Sequence, residues 1–196
     1  ILSIDRSIRF RDAIEVSELA ADFRFLSNST EHPVRTIVGL DFSGNPHGGR
    51  FEDFSPLFDT AKDRGLGLTV HTAEVRELSD SVDPRTEEDD TEAILNFRPD
   101  RIGHVLFLQQ HHLDQLLAKN EAPPIEVCPT SNLITLGHRG YDEHPYLAQW
   151  LALGYPLSIN TDDRGIFNTT LTEELLRVMD AQRLDLADMV QIIGKS

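Results

Sequence analysis

A chain of 196 residues is long enough to bury a sizeable core as one domain, and nothing in it marks a second. Its formal net charge of −15, from 33 acidic against 18 basic residues, argues against a nucleic-acid backbone or an anionic membrane as partner, and no apolar stretch approaches the ~20 residues that a bilayer span needs. Cys128 is the only cysteine, which excludes an intrachain disulfide and a cysteine-based zinc cluster and suits a reducing, cytoplasmic setting. The chain opens on Ile1 rather than Met, and ILSID already reads as a strand ending near Asp5. We therefore expect one domain over 1–196 that is the N-terminally truncated part of a longer polypeptide. A helix follows over Arg11 to Leu26, with Ile14, Leu19, Phe23 and Leu26 on one face. TIVGLDF reads as a strand ending near Phe42, followed by a helix over Glu52 to Arg64; LGLTVH reads as one ending near His71. The run from Glu77 to Thr91 holds seven Asp or Glu and a proline, and reads as a solvated loop leading into a helix over Glu87 to Phe97. DRIGH ends a strand near His104, a helix covers His112 to Lys119, and IEVC ends a strand near Cys128. Helices over Glu143 to Leu153, Thr170 to Met179 and Leu184 to Ile193 flank a last strand, LSINTD, ending near Asp162.

Strand ends thus recur every 24 to 37 residues with helices between them, which predicts a parallel α/β sheet. Apolar runs such as Ile125 to Cys128 predict strands covered on both faces. Nearly every strand ends on a polar residue of catalytic type: Asp5, Asp41, His71 with Glu74, His104, Ser131 with Asn132, and Asp162 with Asp163. In parallel α/β folds those ends form the functional face. Two adjacent aspartates raise each other's pKa unless a cation or proton separates them. Asp162 and Asp163 therefore point to a metal, or else to a strand-to-helix turn with Asp163 as N-cap. His71 and Glu74 offer an imidazole and a carboxyl three residues apart, a zinc ligand and a proton donor by type. His104 follows Gly103, which allows close backbone approach. His32, His47, His111, His112, His138 and His144 fall in helix or loop contexts and read as surface or structural, and Cys128 reads as a small buried apolar residue.

Taken in order, VGLDFSGNP (Val38–Pro46), HTAE (His71–Glu74), DRIGH (Asp100–His104), IEVCPTSN (Ile125–Asn132) and SINTDD (Ser158–Asp163) resemble the adenosine/AMP deaminase family of metal-dependent (β/α)8 barrels. LSIDRS, LDFSGNP and TDDRGIF look most like its adenosine deaminase-like branch, which acts on N6-methyl-AMP. The resemblance implies a TIM-type barrel and zinc-dependent hydrolytic deamination of a 6-aminopurine nucleoside or nucleotide. It implies His71 and Asp162 as zinc ligands and Glu74 as the acid that protonates the purine ring nitrogen. His104 and Asp163 match the pair that orient and deprotonate the attacking water, Gly44 the glycine whose N–H meets the purine, and Asp5 a substrate-side aspartate. Asp163 thereby also touches substrate.

One departure matters. The family's first strand ends in His-x-His, two more metal ligands, and this chain has no such motif. The strands read here number six, starting with what resembles the third, so the barrel is expected to be incomplete. A catalytic zinc generally takes about three protein ligands. A non-catalytic remnant is therefore the alternative reading, and a zinc barrel hydrolase acting on an amide or ester is a weaker rival that DRIGH and CPTSN disfavour. Oligomeric state cannot be read from the sequence.

Overall fold

The computed structural model describes residues 1–26, 37–76, 87–118 and 123–195. Six strands, β1 (Leu2–Asp5), β2 (Gly39–Ser43), β3 (Gly67–Thr72), β4 (Arg101–His104), β5 (Ile125–Val127) and β6 (Leu157–Ile159), form one sheet in the order 1-2-3-4-5-6, and every neighbouring pair is parallel. A parallel neighbour can be reached only by a crossover. Helices supply the crossovers: α1 (Phe10–Leu26), α2 (Phe51–Asp63), α3 (Glu87–Phe97), α4 (Gln110–Ala118), and then α5 (Pro129–Leu136) with α6 (Leu147–Ala152) between β5 and β6. After β6 come α7 (Arg164–Phe167), α8 (Leu171–Ala181) and α9 (Leu186–Lys195). The strictly sequential strand order is the winding of a TIM-type barrel, here over six βα units.

The sheet turns its apolar face to the helices. Ile4, Leu40, Phe42, Leu68, Val70, Ile102, Ile125, Val127, Leu157 and Ile159 alternate along the strands and are all buried under the helices. Helix α2 meets them with Phe51, Phe54, Leu57, Phe58 and Ala61, and the Phe42 ring lies 5.1 to 5.7 Å from those of Phe51, Phe54 and Phe58. Pro56 leaves the Glu52 carbonyl of this helix without its amide partner, and the Ser55 hydroxyl takes it at 3.1 Å.

The opposite face is partly covered too, with Asp41, Thr69 and Gly103 buried, but it is polar where continuous apolar runs had suggested otherwise. Its residues are polar and bonded to one another across strands: Ser3 Oγ donates to Asp41 Oδ2 at 2.9 Å, Thr69 Oγ1 to Glu126 Oε2 at 2.9 Å, and Arg101 Nη1 sits 2.9 Å from Glu126 Oε1. Ser158 and Gly103 share a row with His71 and Glu126. Period-2 alternation, apolar outward and polar inward, is the pattern of a sheet packed on one face.

Helix α1 also differs from expectation. Among its residues whose side chains are described, which leave out Leu26, the buried ones are Ala13, Ser17, Ala20 and Ala21, while Ile14, Leu19 and Phe23 are 38, 48 and 45 % exposed. Small side chains let the helix sit close on the sheet and turn the large apolar ones outward. Two helices were not read from sequence at all. α5 begins at Pro129 in the first turn and ends at Gly137 in the left-handed conformation, φ 68°; α7 has four residues and stops at Asn168, φ 48°. Of the acidic run, residues 77–86 lie outside the described residues, and α3 starts at Glu87. Among the described residues no helix is long and apolar enough to cross a membrane.

Candidate active site

Four non-glycine residues in the left-handed backbone region stand just at or beyond strand ends: Ala73 (φ 48°), His104 (φ 65°), Val105 (φ 51°) and Asp162 (φ 53°). Each costs roughly 1–3 kcal/mol, and such residues persist where the surrounding structure over-determines them. Their effect is visible at His104. By alternation it should point with Ile102 into the helical layer, yet its ring centroid lies 5.1 Å from that of His71, which points the other way. The left-handed turn at His104 and Val105 breaks the alternation and delivers the ring to the mouth of the sheet.

His71 Nδ1 lies 3.0 Å from Asp41 Oδ1, and the second Asp41 oxygen is held by Ser3. The carboxylate keeps the proton on Nδ1 and leaves the Nε2 lone pair free, the arrangement found behind metal-bound histidines. Burial opposes a charge on His71, but the hydrogen bond and charge of Asp41, with Glu74 and Asp162 nearby, outweigh it and raise its pKa. Asp162 acts on His71 from the same end of the sheet, as a shared cation would require. On the other side, Glu74 Oε1 stands 3.9 Å from His104 Nε2, with His104 buried and Glu74 partly exposed.

A second donor set overlaps the first. Ligand-type atoms of His104, Cys128 and Asp162 lie within 4.8 Å of one another. Burial, then the charges of Asp162, Glu126, Glu74 and Glu174, push the Cys128 thiol well above its ordinary value. His71 and Asp162 offer another pair of ligand-type groups at the same end of the sheet.

The remaining residues expected at the site fall along the same rim. Asp5 ends β1, and its carboxylate accepts from Ser7 N at 2.8 Å and Ser7 Oγ at 2.5 Å, bonds that lower its pKa. Gly44 follows β2 with φ 93°, a backbone conformation that favours glycine, and a Cβ there would lie 2.6 Å from the Asp5 carboxylate. Asp163 occupies the N-cap position of α7, but its side chain makes no capping hydrogen bond. The cap and the metal-site readings of this pair are thus compatible. Gly103 is different: a Cβ would meet His71 at 3.6 Å, ordinary contact, so close approach does not demand the glycine.

Several residues of the site's support were missed in the sequence. Of the two readings of His144, surface or structural, the second holds: it is buried, 3.0 Å from Asn132 Nδ2, whose Oδ1 lies 3.1 Å from His104 Nδ1. Arg6 and Asp90 form a buried pair at 3.1 Å; Arg6 Nη2 also donates to the His71 carbonyl at 3.1 Å, and Asp90 Oδ1 accepts from Phe51 N at 2.7 Å. Glu174 of α8 is fully buried and accepts from Thr130 N at 3.0 Å, anchoring the first turn of the helix that carries Asn132. These partners are separated by 12 to 84 residues, and no local pattern announces them.

The sequence pattern of the adenosine deaminase family matches residues 7–195. The chain belongs to the adenosine deaminase family. Within it, the chain is 38 % identical over 179 residues to the N6-methyl-AMP deaminase of Mus musculus, covering 89 % of this chain and 45 % of that protein. The structures of the Arabidopsis N6-mAMP deaminase and of an Arabidopsis protein complexed with IMP superpose with TM-scores of 0.82 at 31 % identity, over all of this chain and 53 and 52 % of theirs. An adenosine deaminase of Xanthomonas campestris with bound zinc shares the fold alone, with a TM-score of 0.60 at 15 % identity over 92 % of this chain and 44 % of that one. The chain spans about half the length of the curated relatives it matches.

Proposed function

We propose that this chain carries most of the active-site rim of a zinc-dependent deaminase, which hydrolyses the 6-amino or 6-methylamino group of a purine nucleoside or nucleotide. The observation that carries the reading is the grouping of Glu74, His104, His71 and Asp162 at one end of the sheet, with Asp41 holding His71 as a ligand is held. Adenosine, AMP and N6-methyl-AMP are candidate substrates; the nucleotides are favoured by likeness to the N6-methyl-AMP deaminases and to a protein that binds IMP.

His71 Nε2 and Asp162 would hold the zinc. A zinc held there would bring the pKa of a water towards ~7. His104 and Asp163 would orient the attacking water and take one of its protons as the oxygen bonds to the purine carbon. The attack removes the ring's aromaticity, so the neighbouring ring nitrogen needs a proton at the same moment, which Glu74 donates. With the C–O bond formed, the proton held by that pair would pass to the amino nitrogen, the C–N bond would break with ammonia or methylamine leaving, and the new hydroxyl's proton would return to Glu74 as the carbonyl forms. Asp5 and Gly44 line the substrate side, where the Gly44 N–H meets the base.

A second reading has its own support. Only two residues here match zinc ligands, against about three for a catalytic zinc. The chain by itself would then be an inactive remnant or fragment, and a strand ending His-x-His upstream would complete the site. An ultraviolet deamination assay on adenosine, AMP and N6-methyl-AMP separates the two, run on the 196-residue chain and on a polypeptide with such a strand supplied. Turnover by the longer polypeptide supports the deaminase reading. No turnover by either, with stoichiometric zinc bound, overturns it.

A further inference from the structure

Hydrogen bonding around His104 settles which of its nitrogens carries the proton. Two backbone amides, Leu147 N at 3.1 Å and Tyr146 N at 3.3 Å, donate to His144 Nδ1. An amide N–H can only donate, so His144 Nδ1 has no proton. Burial, with the charge of His138, lowers the pKa of His144 to about 4, so the ring is neutral near pH 7 and its proton sits on Nε2. That Nε2–H faces Asn132 at 3.0 Å and needs an acceptor there.

As placed, Asn132 turns Nδ2 to His144 and Oδ1 to His104, which sets donor against donor. An amide's oxygen and nitrogen are told apart by their partners, and a 180° turn of this one satisfies every atom. Oδ1 then accepts from His144 Nε2–H, and Nδ2 donates to His104 Nδ1, 3.1 Å away. His104 Nδ1 must be bare, and its proton lies on Nε2, the nitrogen that faces Glu74 at 3.9 Å.

We infer that His144, acting through Asn132, is a positioning residue that fixes His104 as the Nε2–H tautomer at the mouth of the sheet. Two consequences follow. His104 presents no lone pair to a metal, which removes it from the His104–Cys128–Asp162 set. In the deaminase reading, on which this second consequence rests, His104 is a hydrogen-bond donor to the attacking oxygen, and Asp163 is left to take the proton. The two residues that match a shared role divide it.

The test reads the proton directly. Long-range 1H–15N correlation on the uniformly 15N-labelled 196-residue chain, at neutral pH and without metal, distinguishes protonated from bare ring nitrogens; His104→Gln and His144→Gln assign the signals. The expected result is a bare Nδ1 and protonated Nε2 on both rings. A protonated Nδ1 on His104 overturns the inference. Asn132→Asp offers only acceptors, so it should move the His104 proton to Nδ1, and an unchanged His104 in that variant also overturns it. If Asn132→Asp fails to fold, His144→Phe frees the amide and should give a mixture of His104 tautomers, where a single Nε2–H form counts against the relay. In a polypeptide with deaminase activity, Asn132→Asp should cut kcat by roughly 10²-fold or more with KM little changed, as a misdirected imidazole does. Absence of deamination in the unmodified protein speaks against the functional reading only, since the tautomer is read without substrate.

Discussion

Asp41 Oδ1 and His71 Nδ1 stand 3.0 Å apart, and this one contact decides what His71 can do. It pins the proton on Nδ1, aims Nε2 at the site, and couples β2 to β3 across the polar face. Removing a partner of this kind typically weakens metal binding about 10- to 100-fold. Asp41→Ala should therefore lower zinc affinity by that factor, measured by competition with a chromogenic chelator at neutral pH. Asp41→Asn, which keeps an acceptor oxygen without the charge, should fall between the two. Equal affinity in all three proteins would detach Asp41 from the metal site.

The Arg6–Asp90 pair lies beneath the same strands, with both side chains 3 % exposed. Arg6 also stacks on Phe42 at 4.6 Å and bonds the His71 carbonyl, while Asp90 holds the first turn of α2. Removing one partner leaves a buried charge uncompensated, at a cost of about 3–5 kcal/mol. Asp90→Ala should lose stability on that scale in urea unfolding. Arg6→Leu combined with Asp90→Leu should lose less than the sum of the two single changes, because the second removes the orphan the first creates. A loss under about 1 kcal/mol in Asp90→Ala, the scale of an exposed pair, would show the pair to be ornamental.

What could be read from the sequence was local. Strand ends near Asp5, Phe42, His71 and His104 came within a residue of the observed ones, because short β-rich runs stop on polar residues. Helix α3 was read at its observed bounds, Glu87 to Phe97. The outward-facing Ile14, Leu19 and Phe23 were not legible, since an apolar stripe says that a face is apolar and not what it meets. The support around His104 was hidden for a different reason. His144, Asn132 and Glu174 act through contacts 12 to 44 residues apart in sequence, and left-handed backbone at His104 and Asp162 carries no glycine to flag it. Strand-end positions marked most of the candidate residues and the resemblance implied their roles; the geometry supplied their partners.

His144 should make stability depend on pH in a defined window. Its folded pKa, about 4, lies below its ordinary 6.5, because burial and His138 disfavour its charge. Between those values the unfolded chain binds the extra proton and the folded one does not. Stability from this group is therefore complete above about pH 6.5 and is lost as pH falls towards 4, by up to about 3 kcal/mol at roughly 1.4 kcal/mol per unit. Urea unfolding from pH 7.5 to 4.5 should show the loss, and His144→Gln should flatten it in that window. An equally steep decline in the variant would assign the effect to other groups.

Glu74 offers the sharpest test of the chemistry. Its carboxyl sits partly exposed 3.9 Å from a buried His104, near the charge of Asp162 that acts on His71. If it hands a proton to the purine, Glu74→Gln keeps size and hydrogen bonding but removes the proton that must move. In a polypeptide with the His-x-His strand supplied, turnover should fall by at least the ~10²-fold typical of a lost general acid. Zinc content should stay unchanged, because Glu74 is not among the proposed ligands. The two readouts separate roles that activity alone would merge: a loss of zinc would make Glu74 part of the metal site, and near-normal turnover would take the proton-donor role from it.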